Sequence, residues 1–311
     1  MFSSGSTGAP KAILHALPPL LEKFVTPRPS YRTLAFLVFD HIGGLNTAFH
    51  ALANLGCLII PEERTIKGIC AAIELHKVEL LPASPSFLNL MMMTGVHAEY
   101  DLSSLRVISY GAEVMPQHTL DRLADILPAV KLQQTYGLSE VGIMRSHSAS
   151  NRSLMVKLGG EQYSTKVVNG TLRVRSACSM LGYLNAPSPF DEDGWLDTGD
   201  AVEQAGEYYR ILGRVSEIIN VGGLKVYPAE VEKVIREVSG LIDVFVKGEP
   251  DLLLGQVVVA SVWTTGKEPV TEIRRRIRNQ CRGRLQPFMV PVRVRIEKES
   301  SITCRFKKSR G

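Results

Sequence analysis

The 311-residue sequence has few cysteines, namely Cys57, Cys70, Cys178, Cys281 and Cys304. They are widely spaced and include no Cys-x-x-Cys pair, which argues against a disulfide framework and against a zinc site of the usual spacing. The sequence also lacks an apolar run long enough to span a bilayer. No charged segment leads into an apolar one at the start, as a signal peptide would require. We therefore expect a cytoplasmic protein without membrane insertion.

The chain lacks a strong charge of either sign. Its 36 Lys and Arg residues against 31 Asp and Glu residues give a formal net charge of +5, which is too small an excess to indicate nucleic-acid binding. Hydrophobic residues make up 45% of the chain and charged residues 22%, an ordinary globular composition that disfavours disorder and coiled coil. The length allows two domains.

In the first half of the chain, short apolar runs alternate with segments of helical periodicity. The runs predict strands at 34–39, 57–60, 79–82 and 106–109, and the periodic segments predict helices at 45–55, 66–76, 85–93 and 117–127. Such alternation is typical of βαβ units around a largely parallel sheet.

The pattern changes near residue 154 to alternating apolar and polar residues, at 155–158, 164–168 and 171–175. Asn169-Gly170 between two of these runs predicts a β-hairpin. Beyond a short strand, residues 212–214 are interpreted as a linker, followed by a compact α+β pattern with helices at 228–238 and 272–284. The predicted fold class is α/β: part of a large N-terminal domain (1–213) with mixed and parallel sheets and a β-rich segment, then a small α+β C-terminal domain (214–311).

The segment from Ser3 to Lys11 is rich in groups that bind polyphosphate. It contains three Ser, one Thr, two Gly, one Pro and one Lys, which supply hydroxyls, exposed backbone N–H groups and an ammonium. It is not a Walker A loop, and a flexible linker is the alternative. A phosphate loop normally follows a strand, of which Phe2 alone remains here. Either this segment is an N-terminal tail, or the chain is a fragment whose upstream part is missing.

Four later stretches have the same order and spacing as motifs of a known superfamily. They are Thr135-Tyr136-Gly137-Leu138-Ser139-Glu140, Gly194-Trp195-Leu196-Asp197-Thr198-Gly199-Asp200, the segment 213–232 that begins Gly213-Arg214, and Thr303-Cys304-Arg305-Phe306-Lys307-Lys308-Ser309-Arg310. With the opening loop, they resemble the adenylate-forming (AMP-binding) superfamily of acyl-CoA synthetases, luciferases and peptide-synthetase adenylation domains. Members usually carry a long stretch before the Ser/Gly/Thr loop, so the resemblance implies an adenylation domain that lacks its N-terminal part.

The resemblance implies that ATP converts a small-molecule carboxylic acid to an acyl-adenylate, from which the acyl group passes to a thiol. The residues that match the phosphate loop are Ser3, Ser4, Gly5, Ser6, Thr7, Gly8 and Lys11. Those that match adenine, ribose and phosphate contacts are Gly111, Ala112, Glu113, Thr135, Tyr136, Gly137, Ser139, Asp200 and Arg214. Glu140 matches the Mg²⁺ ligand. His41 lies where the family places an aromatic residue or His near the carboxylate, with a core histidine as the alternative.

Lys307 matches the catalytic lysine of the closing motif, where an ammonium stabilises charge on the carboxylate and α-phosphate. The family usually has Gly directly before this Lys, and here Phe306 takes that place. Lys308 is therefore a second candidate, and a basic chain terminus without catalytic role is the alternative. In the family, the smaller domain swings about a hinge, and Ser216 occupies the hinge position. In the same domain, Gly222, Gly223 and Lys225 match the loop that lines the pantetheine tunnel.

The sequence therefore predicts an acid–thiol ligase that uses ATP, Mg²⁺ and CoA. Residues Met91, Met92 and Met93 and the segment 141–144 favour a fatty acid or another apolar acyl group, although methionine in a helix is more often core. Two alternatives stay open. In the first alternative, the acceptor is a carrier-protein phosphopantetheine instead of CoA, with an acyl carrier protein as partner. In the second, the chain is truncated or split and is catalytically incompetent, so that it needs a missing N-terminal half or only binds nucleotide.

Overall fold

The computed structural model describes residues 1–3, 10–264 and 268–297. These residues divide into two compact units, Met1–Ile211 and a second unit that begins at Leu212. The division lies inside a strand that continues to Arg214. Residues 212–214, which are interpreted from the sequence as a linker, are the last three residues of that strand, and the predicted domain boundary stays a prediction. Within the described ranges, no helix has the length and apolar character needed to cross a membrane.

The first unit alternates strands with helices and then becomes β-rich. Its strands are β1 (Phe2–Ser3), β2 (Lys11–Leu14), β3 (Arg32–Leu34), β4 (Cys57–Ile59), β5 (Leu80–Ala83), β6 (Val107–Tyr110), β7 (Lys131–Gln134), β8 (Gly137–Leu138), β9 (Gly142–Ile143), β10 (Arg145–Ser148), β11 (Val156–Gly159), β12 (Tyr163–Val168), β13 (Thr171–Ser176), β14 (Gly182–Tyr183), β15 (Leu196–Ala205) and β16 (Tyr208–Arg214). Its helices are α1 (Leu17–Glu22), α2 (Ile42–Ala53), α3 (Ile66–His76), α4 (Pro85–Thr94) and α5 (Gln117–Ile126).

A parallel sheet with strand order β4-β3-β5-β6-β7 forms the centre of this unit. The helices begin where local chemistry favours them: Thr65 Oγ1 accepts the Gly68 N–H at 3.0 Å at the start of α3, which satisfies a backbone donor that the helix itself leaves free. Ile69 and Ile73, one turn apart on α3, are fully buried in the core with residues of β5 and β6. The predicted parallel sheet is confirmed, and the carboxyl ends of its strands meet at one edge.

The predicted strand 34–39 is wrong in its position. Backbone pairing covers Arg32–Leu34, which align with β4. After Leu34, the carbonyl oxygens of Ala35 and Phe36 accept hydrogen bonds from the Arg64 guanidinium, so this stretch leaves the sheet. Phe36 is buried because its ring packs edge-on against Phe87 at 4.8 Å between centroids. Apolarity here indicates tertiary packing and not strand pairing.

The second half of the unit is antiparallel, with strand order β10-β11-β16-β15-β13-β12. Strands β12 and β13 form the predicted hairpin, in which Asn169 and Gly170 have φ of +53° and +77°. Two residues with positive φ define the type of turn that fits the twist of a two-residue hairpin. A smaller sheet joins β1, β2 and β14.

The α4 methionines do not support the expected apolar acyl group. Met91 is fully buried and Met92 is 1% exposed, and both belong to the hydrophobic core between α4 and the parallel sheet. Val141 and Met144 are likewise buried in the core of the antiparallel region. Packing in the core explains these side chains. The sequence alone could not separate the two interpretations, because a core and an apolar binding site require the same residue types.

The second unit is a small α+β structure. Its elements are β17 (Ile219–Val221), β18 (Leu224–Val226), α6 (Pro228–Arg236), β19 (Leu241–Asp251), β20 (Gly255–Thr264), α7 (Val270–Arg284) and β21 (Arg293–Glu297). The strands lie in the order β18-β17-β20-β19, and β21 pairs with β20 in parallel. The two helices bury their apolar stripes, for example Ile235 of α6 and Ile277 of α7. The α+β prediction is confirmed for this unit.

Candidate active site

Tyr136 and Asp200, which the sequence matches to the adenine and ribose contacts, touch each other. The Tyr136 hydroxyl donates a hydrogen bond of 2.5 Å to Asp200 Oδ2. Tyr136 follows β7 at the carboxyl edge of the parallel sheet, and Asp200 lies in β15 of the antiparallel sheet. Both side chains are buried. The contact therefore links the two sheets at the point where two separate sequence motifs meet.

An irregularity in β15 determines how Asp200 is presented. The pairing register between β13 and β15 shifts between Thr171 and Arg173. Gly199 supplies the left-handed backbone that this bulge requires, with φ of +68°. Thr198 Oγ1 then accepts the Asp200 N–H at 3.1 Å. The Thr-Gly-Asp sequence thus has a local structural reason, which is to turn one carboxylate out of a regular strand.

Gly111 and Ala112 follow β6 and lie against Thr135, which follows the neighbouring strand β7. The Thr135 N–H donates to the Tyr110 carbonyl at 2.7 Å. A Cβ on Gly111 would lie 2.5 Å from Thr135 Oγ1 and 2.7 Å from the Thr135 carbonyl oxygen, so a side chain does not fit. Ala112 has φ of +68°, a conformation that costs a non-glycine residue about 1–2 kcal/mol. Strain of this kind is common where a binding site dictates the backbone.

Glu113 connects this edge of the sheet to the start of α4. Its Oε2 accepts hydrogen bonds from the Ser86 N–H at 3.1 Å and from Ser86 Oγ at 2.6 Å. A carboxylate is favourable beside the first turn of a helix, where backbone N–H groups carry partial positive charge. The contact gives Glu113 a structural role, and its predicted part in nucleotide binding stays a prediction.

Glu140, the predicted Mg²⁺ ligand, and its neighbour Ser139 are each contacted by a residue that sequence reasoning missed. The Tyr183 hydroxyl donates to Glu140 Oε1 at 2.7 Å, and His15 Nε2 donates to the Ser139 carbonyl at 2.6 Å. Burial, followed by the contact with the Glu140 carboxylate, raises the pKa of Tyr183, so the hydroxyl keeps its proton as donor. Neither residue carries a local sequence signal, because both reach the motif from strands far away in the chain.

The surroundings of His15 favour its neutral form. Burial lowers its pKa, although the hydrogen bond to the Ser139 carbonyl opposes the shift. The neutral ring donates through Nε2, which leaves Nδ1 as an acceptor. Among the described residues, no group donates to the buried Nδ1.

The Glu140 carboxylate fits a divalent cation of the Mg²⁺ type. Tyr183 uses one of its two oxygens, and a carboxylate offers about four lone-pair sites. In the described part of the chain, no group of three or more His, Cys, Asp or Glu residues could enclose a metal ion. A cation at Glu140 would therefore draw its other oxygens from phosphate and water, as Mg²⁺ does in nucleotide sites.

The predicted phosphate loop is bounded by paired strands. Ser3 in β1 pairs with Lys11 in β2, and Phe2 pairs with Ala12. The Lys11 ammonium lies 5.0 Å from the centroid of the Tyr183 ring, which places it next to the residue that binds Glu140. The loop residues Ser4, Gly5, Ser6, Thr7 and Gly8 lie outside the described residues.

His41 begins helix α2. Its Nδ1 accepts the Gly43 N–H at 3.1 Å, so the ring is the N-cap. The helix start lies against the preceding chain, because a Cβ on Gly44 would be 2.1 Å from the Val38 carbonyl oxygen. The cap explains why a histidine stands at this position, and the predicted catalytic role of His41 stays a prediction.

In the second unit, Gly222 and Gly223 form the two-residue turn between β17 and β18. Their φ values are +58° and +86°, which explains both glycines by turn geometry alone. Lys225 follows in β18 and is exposed. Arg214 ends β16. Lys307 lies outside the described residues, so its predicted role is not tested.

The fold is that of an adenylate-forming enzyme. It is similar to the crystal structure of the anthranilate CoA ligase AuaEII in complex with anthranoyl-AMP, with a TM-score of 0.85 at 21% identity over 99% of this chain and 65% of that chain. Residues 1–184 match the AMP-binding enzyme family and residues 230–307 match the AMP-binding enzyme C-terminal domain. The chain belongs to the AMP-binding enzyme family.

Two curated relatives come from Mycobacterium tuberculosis (strain ATCC 25618 / H37Rv). A 3-[(3aS,4S,7aS)-7a-methyl-1,5-dioxo-octahydro-1H-inden-4-yl]propanoyl:CoA ligase is 31% identical over 83% of this chain and 54% of its own length. A medium/long-chain-fatty-acid–[acyl-carrier-protein] ligase is 29% identical over 84% of this chain and 56% of its own length. The chain thus spans about half the length of the curated relatives it matches.

Proposed function

We propose that this chain activates a carboxylic acid with ATP and transfers the resulting acyl group to the thiol of CoA, as an AMP-forming acid–thiol ligase. The observation that carries the proposal is the contact between Tyr136 and Asp200. The contact brings together an aromatic ring, which suits an adenine base, and a carboxylate, which suits the two ribose hydroxyls. Both lie at the carboxyl edge of a parallel sheet. Ligands in open α/β sheets bind at this edge.

In the first step, a carboxylate oxygen of the acid attacks the α-phosphorus of ATP, the bond to the β-phosphate oxygen breaks, and pyrophosphate leaves. The hydroxyls of the loop from Ser3 to Thr7 and the Lys11 ammonium would hold the leaving group, a positioning and electrostatic role. Lys307 would place its ammonium between the acid and the α-phosphate, where negative charge develops. Mg²⁺ held by Glu140 would supply charge neutralisation for the phosphates.

In the second step, the thiol sulfur attacks the acyl carbonyl carbon and AMP leaves with the bonding electrons. Gly222, Gly223 and Lys225 would line the path of the pantetheine arm, and a change in the position of the smaller domain around Ser216 would bring them into place. The acyl-carrier-protein ligase among the relatives supports carrier-protein phosphopantetheine as a second candidate acceptor. The name of that relative supports a fatty or other apolar acid as substrate. Met91 and Met92 no longer support it, because they belong to the hydrophobic core.

The test is thioester formation by the purified 311-residue chain. The chain is incubated with ATP, Mg²⁺ and a mixed pool of carboxylic acids, with either CoA or a phosphopantetheinylated carrier protein as acceptor. Mass spectrometry then detects acyl thioester and AMP. We expect both products from the unaltered chain.

The informative variant is Asp200→Asn, and the matched control is Asp193→Asn, which makes the same change at an exposed turn. We expect the first to abolish product formation and the second to leave it unchanged. Folded chain that binds ATP but forms neither product would contradict the ligase proposal and favour a chain that only binds nucleotide. Equal activity of Asp200→Asn and unaltered chain would contradict the assigned site.

A further inference from the structure

A half-buried lysine lies directly behind the nucleotide motif. The Lys23 ammonium donates to the Ile143 carbonyl at 2.7 Å and to Asn46 Oδ1. Ile143 lies in β9, where it pairs with Gly137 of β8, the residue after Tyr136. The ammonium is therefore one strand away from the segment predicted to bind the nucleotide.

Helix α2 forms the other wall of this region. The helix begins at His41, the residue matched to the carboxylate of the acid, and carries Asn46 and His50 one turn apart. At the end of α2, Asn54 connects to the same region: its Oδ1 accepts the Arg28 N–H at 2.6 Å, and its Nδ2 donates to the His50 carbonyl at 2.8 Å.

An aromatic contact joins the residue after Lys23 to α2, because the Phe24 ring packs edge-on against Phe49 at 6.2 Å between centroids. In addition, Arg145 Nη2 donates to the Lys23 carbonyl at 3.3 Å. Lys23, Arg28, His50 and Arg145 thus lie near one another beside the motif, and we refer to these four residues as the basic cluster.

The basic cluster has no counter-charge in the described part of the chain. None of its members forms an ion pair there, and the adjacent Glu22 carboxylate instead accepts from Gln162 Nε2 at 2.9 Å. Burial lowers the pKa of Lys23 to about 8, and the charges of Arg28 and Arg145 contribute to the shift. Burial and the neighbouring cations also lower the pKa of His50. Lys23 and Arg28 are partly buried, whereas Arg145 is exposed and the lowered pKa of His50 favours its neutral form. Two partly buried cations without an anion are costly to keep together, because each loses hydration and repels the other.

Lys23 contacts neutral groups: besides its two hydrogen bonds, its ammonium lies 5.0 Å from the centroid of the Phe24 ring. An ammonium has three donors, and Asn46 and Ile143 accept two of them. Both acceptors are neutral, so they accept hydrogen bonds from the ammonium but do not neutralise its charge. A neutral hydrogen-bond acceptor on a ligand would use the third donor, whereas an anionic group would also neutralise the cluster.

We propose that the acid activated by this chain carries a second anionic group, and that the basic cluster binds this group while the reacting carboxylate lies at the nucleotide site. The inference rests on the proposed function and specifies its substrate class as a dicarboxylic acid. It places the substrate between His41 at the start of α2 and the ammonium of Lys23, with the second carboxylate on the third donor of that ammonium.

Calorimetric titration of the full chain with matched acids tests this inference without requiring catalysis. The probes are the straight-chain diacids from succinate to sebacate and the monoacids of equal carbon number, each added in the presence of Mg²⁺ and an ATP analogue whose α,β-phosphate bond cannot be cleaved. We expect at least one diacid to bind about tenfold or more tightly than its monoacid. The variant Lys23→Met should remove this preference, and Lys23→Arg, which keeps the charge, should retain part of it.

One further variant tests a second member of the basic cluster, and another serves as the matched control. Arg28→Gln removes one charge of the cluster at a side chain that makes no hydrogen bond to another described residue, and it should weaken diacid binding by about threefold to tenfold. Lys131→Met repeats the lysine change at an exposed strand position and should leave the preference unchanged. Thermal unfolding of each variant separates loss of binding from loss of structure.

The outcomes distinguish this inference from the function on which it rests. Diacids that bind no better than monoacids, or a preference that survives in both Lys23→Met and Arg28→Gln, would overturn it. Acid-dependent ATP–pyrophosphate exchange with monoacids would in that case leave the ligase proposal standing. Diacid binding that depends on Lys23, without exchange by any acid, would support the basic cluster as an anion site and count against catalysis by this chain.

Discussion

The hydroxyl of Tyr136 and the carboxylate of Asp200, 64 positions apart in the chain, share a hydrogen bond of 2.5 Å. Tyr136 comes from the carboxyl edge of the parallel sheet, and Asp200 from a bulge in the antiparallel sheet. The bond therefore positions two motifs relative to each other before any nucleotide binds. A preorganised carboxylate spares the enzyme part of the entropic cost of ordering its site.

Removing this hydroxyl should weaken both stability and nucleotide binding. Tyr136→Phe keeps the ring and removes one hydrogen bond to the buried carboxylate, which costs about 1–3 kcal/mol of unfolding free energy. Denaturant unfolding and the KM for ATP measure the two effects. Tyr208→Phe is the control, since the Tyr208 side chain is only partly buried. Equal stability of Tyr136→Phe and unaltered chain would show that the bond contributes nothing.

The close approach of Gly111 to Thr135 should make alanine costly at this position. A Cβ 2.5 Å from Thr135 Oγ1 forces a shift of the residue that precedes Tyr136, and we expect Gly111→Ala to lower the unfolding free energy by about 1–3 kcal/mol. Gly283→Ala is the matched control, because nothing lies within 4 Å of the added Cβ. In helix α7 that change should stabilise by up to about 1 kcal/mol. Similar effects of the two changes would contradict the assigned packing.

His15 should act through Ser139 and Glu140 as a positioning residue. His15→Phe removes the donor to the Ser139 carbonyl while it keeps a planar ring. We expect the Mg²⁺ concentration needed for half-maximal activity to rise, together with a loss of about 1 kcal/mol of stability. His15→Gln, which can still donate, should restore part of both. A stability loss without any change in Mg²⁺ requirement would limit His15 to a structural role.

The stability of the chain should rise with pH through the titration of Lys23. Its pKa is about 8 in the folded chain against 10.5 for an ordinary lysine, so between these values the unfolded chain binds more protons and stability increases with pH. The groups around the ammonium are Arg28, Arg145 and Cys178, with His50 on the facing helix.

Unfolding free energies of unaltered chain and Lys23→Met, measured side by side, isolate this contribution. Their difference should be constant below about pH 8 and should shift in favour of the unaltered chain above it. A difference that does not vary with pH, or that shifts in favour of Lys23→Met, would contradict the lowered pKa. Because the variant lacks the titrating group, other ionisations cancel in the comparison.

Elements with a strong local pattern could be predicted from the sequence. Helix α3 has the predicted bounds, Ile66–His76, because its apolar period and its Thr65 cap agree. The hairpin at Asn169-Gly170 follows from the residues that accept positive φ. Asp200 and Tyr136, predicted for one site from two ordered motifs, lie in contact, and their role in nucleotide binding stays a prediction.

Other features depend on contacts that leave no trace in a local pattern. His15 follows β2 and contacts Ser139, and Tyr183 lies in β14 and contacts Glu140; these two strands pair with each other far from the motif in sequence. Strand β3 ends at Leu34, and the next two carbonyl groups accept hydrogen bonds from Arg64, a residue from a distant part of the chain. The basic cluster likewise assembles from three separate segments, none of which is unusually basic by itself.

Acid-dependent ATP–pyrophosphate exchange tests the central claim most directly, because it measures formation of the acyl-adenylate without the thiol. The purified 311-residue chain is assayed with Mg²⁺ and a mixed pool of carboxylic acids, beside Lys307→Ala and Lys308→Ala. We predict exchange that depends on the acid, disappears in Lys307→Ala and persists in Lys308→Ala. No exchange from folded, monodisperse protein would contradict adenylation by this chain, and undiminished exchange in Lys307→Ala would contradict the assigned catalytic lysine.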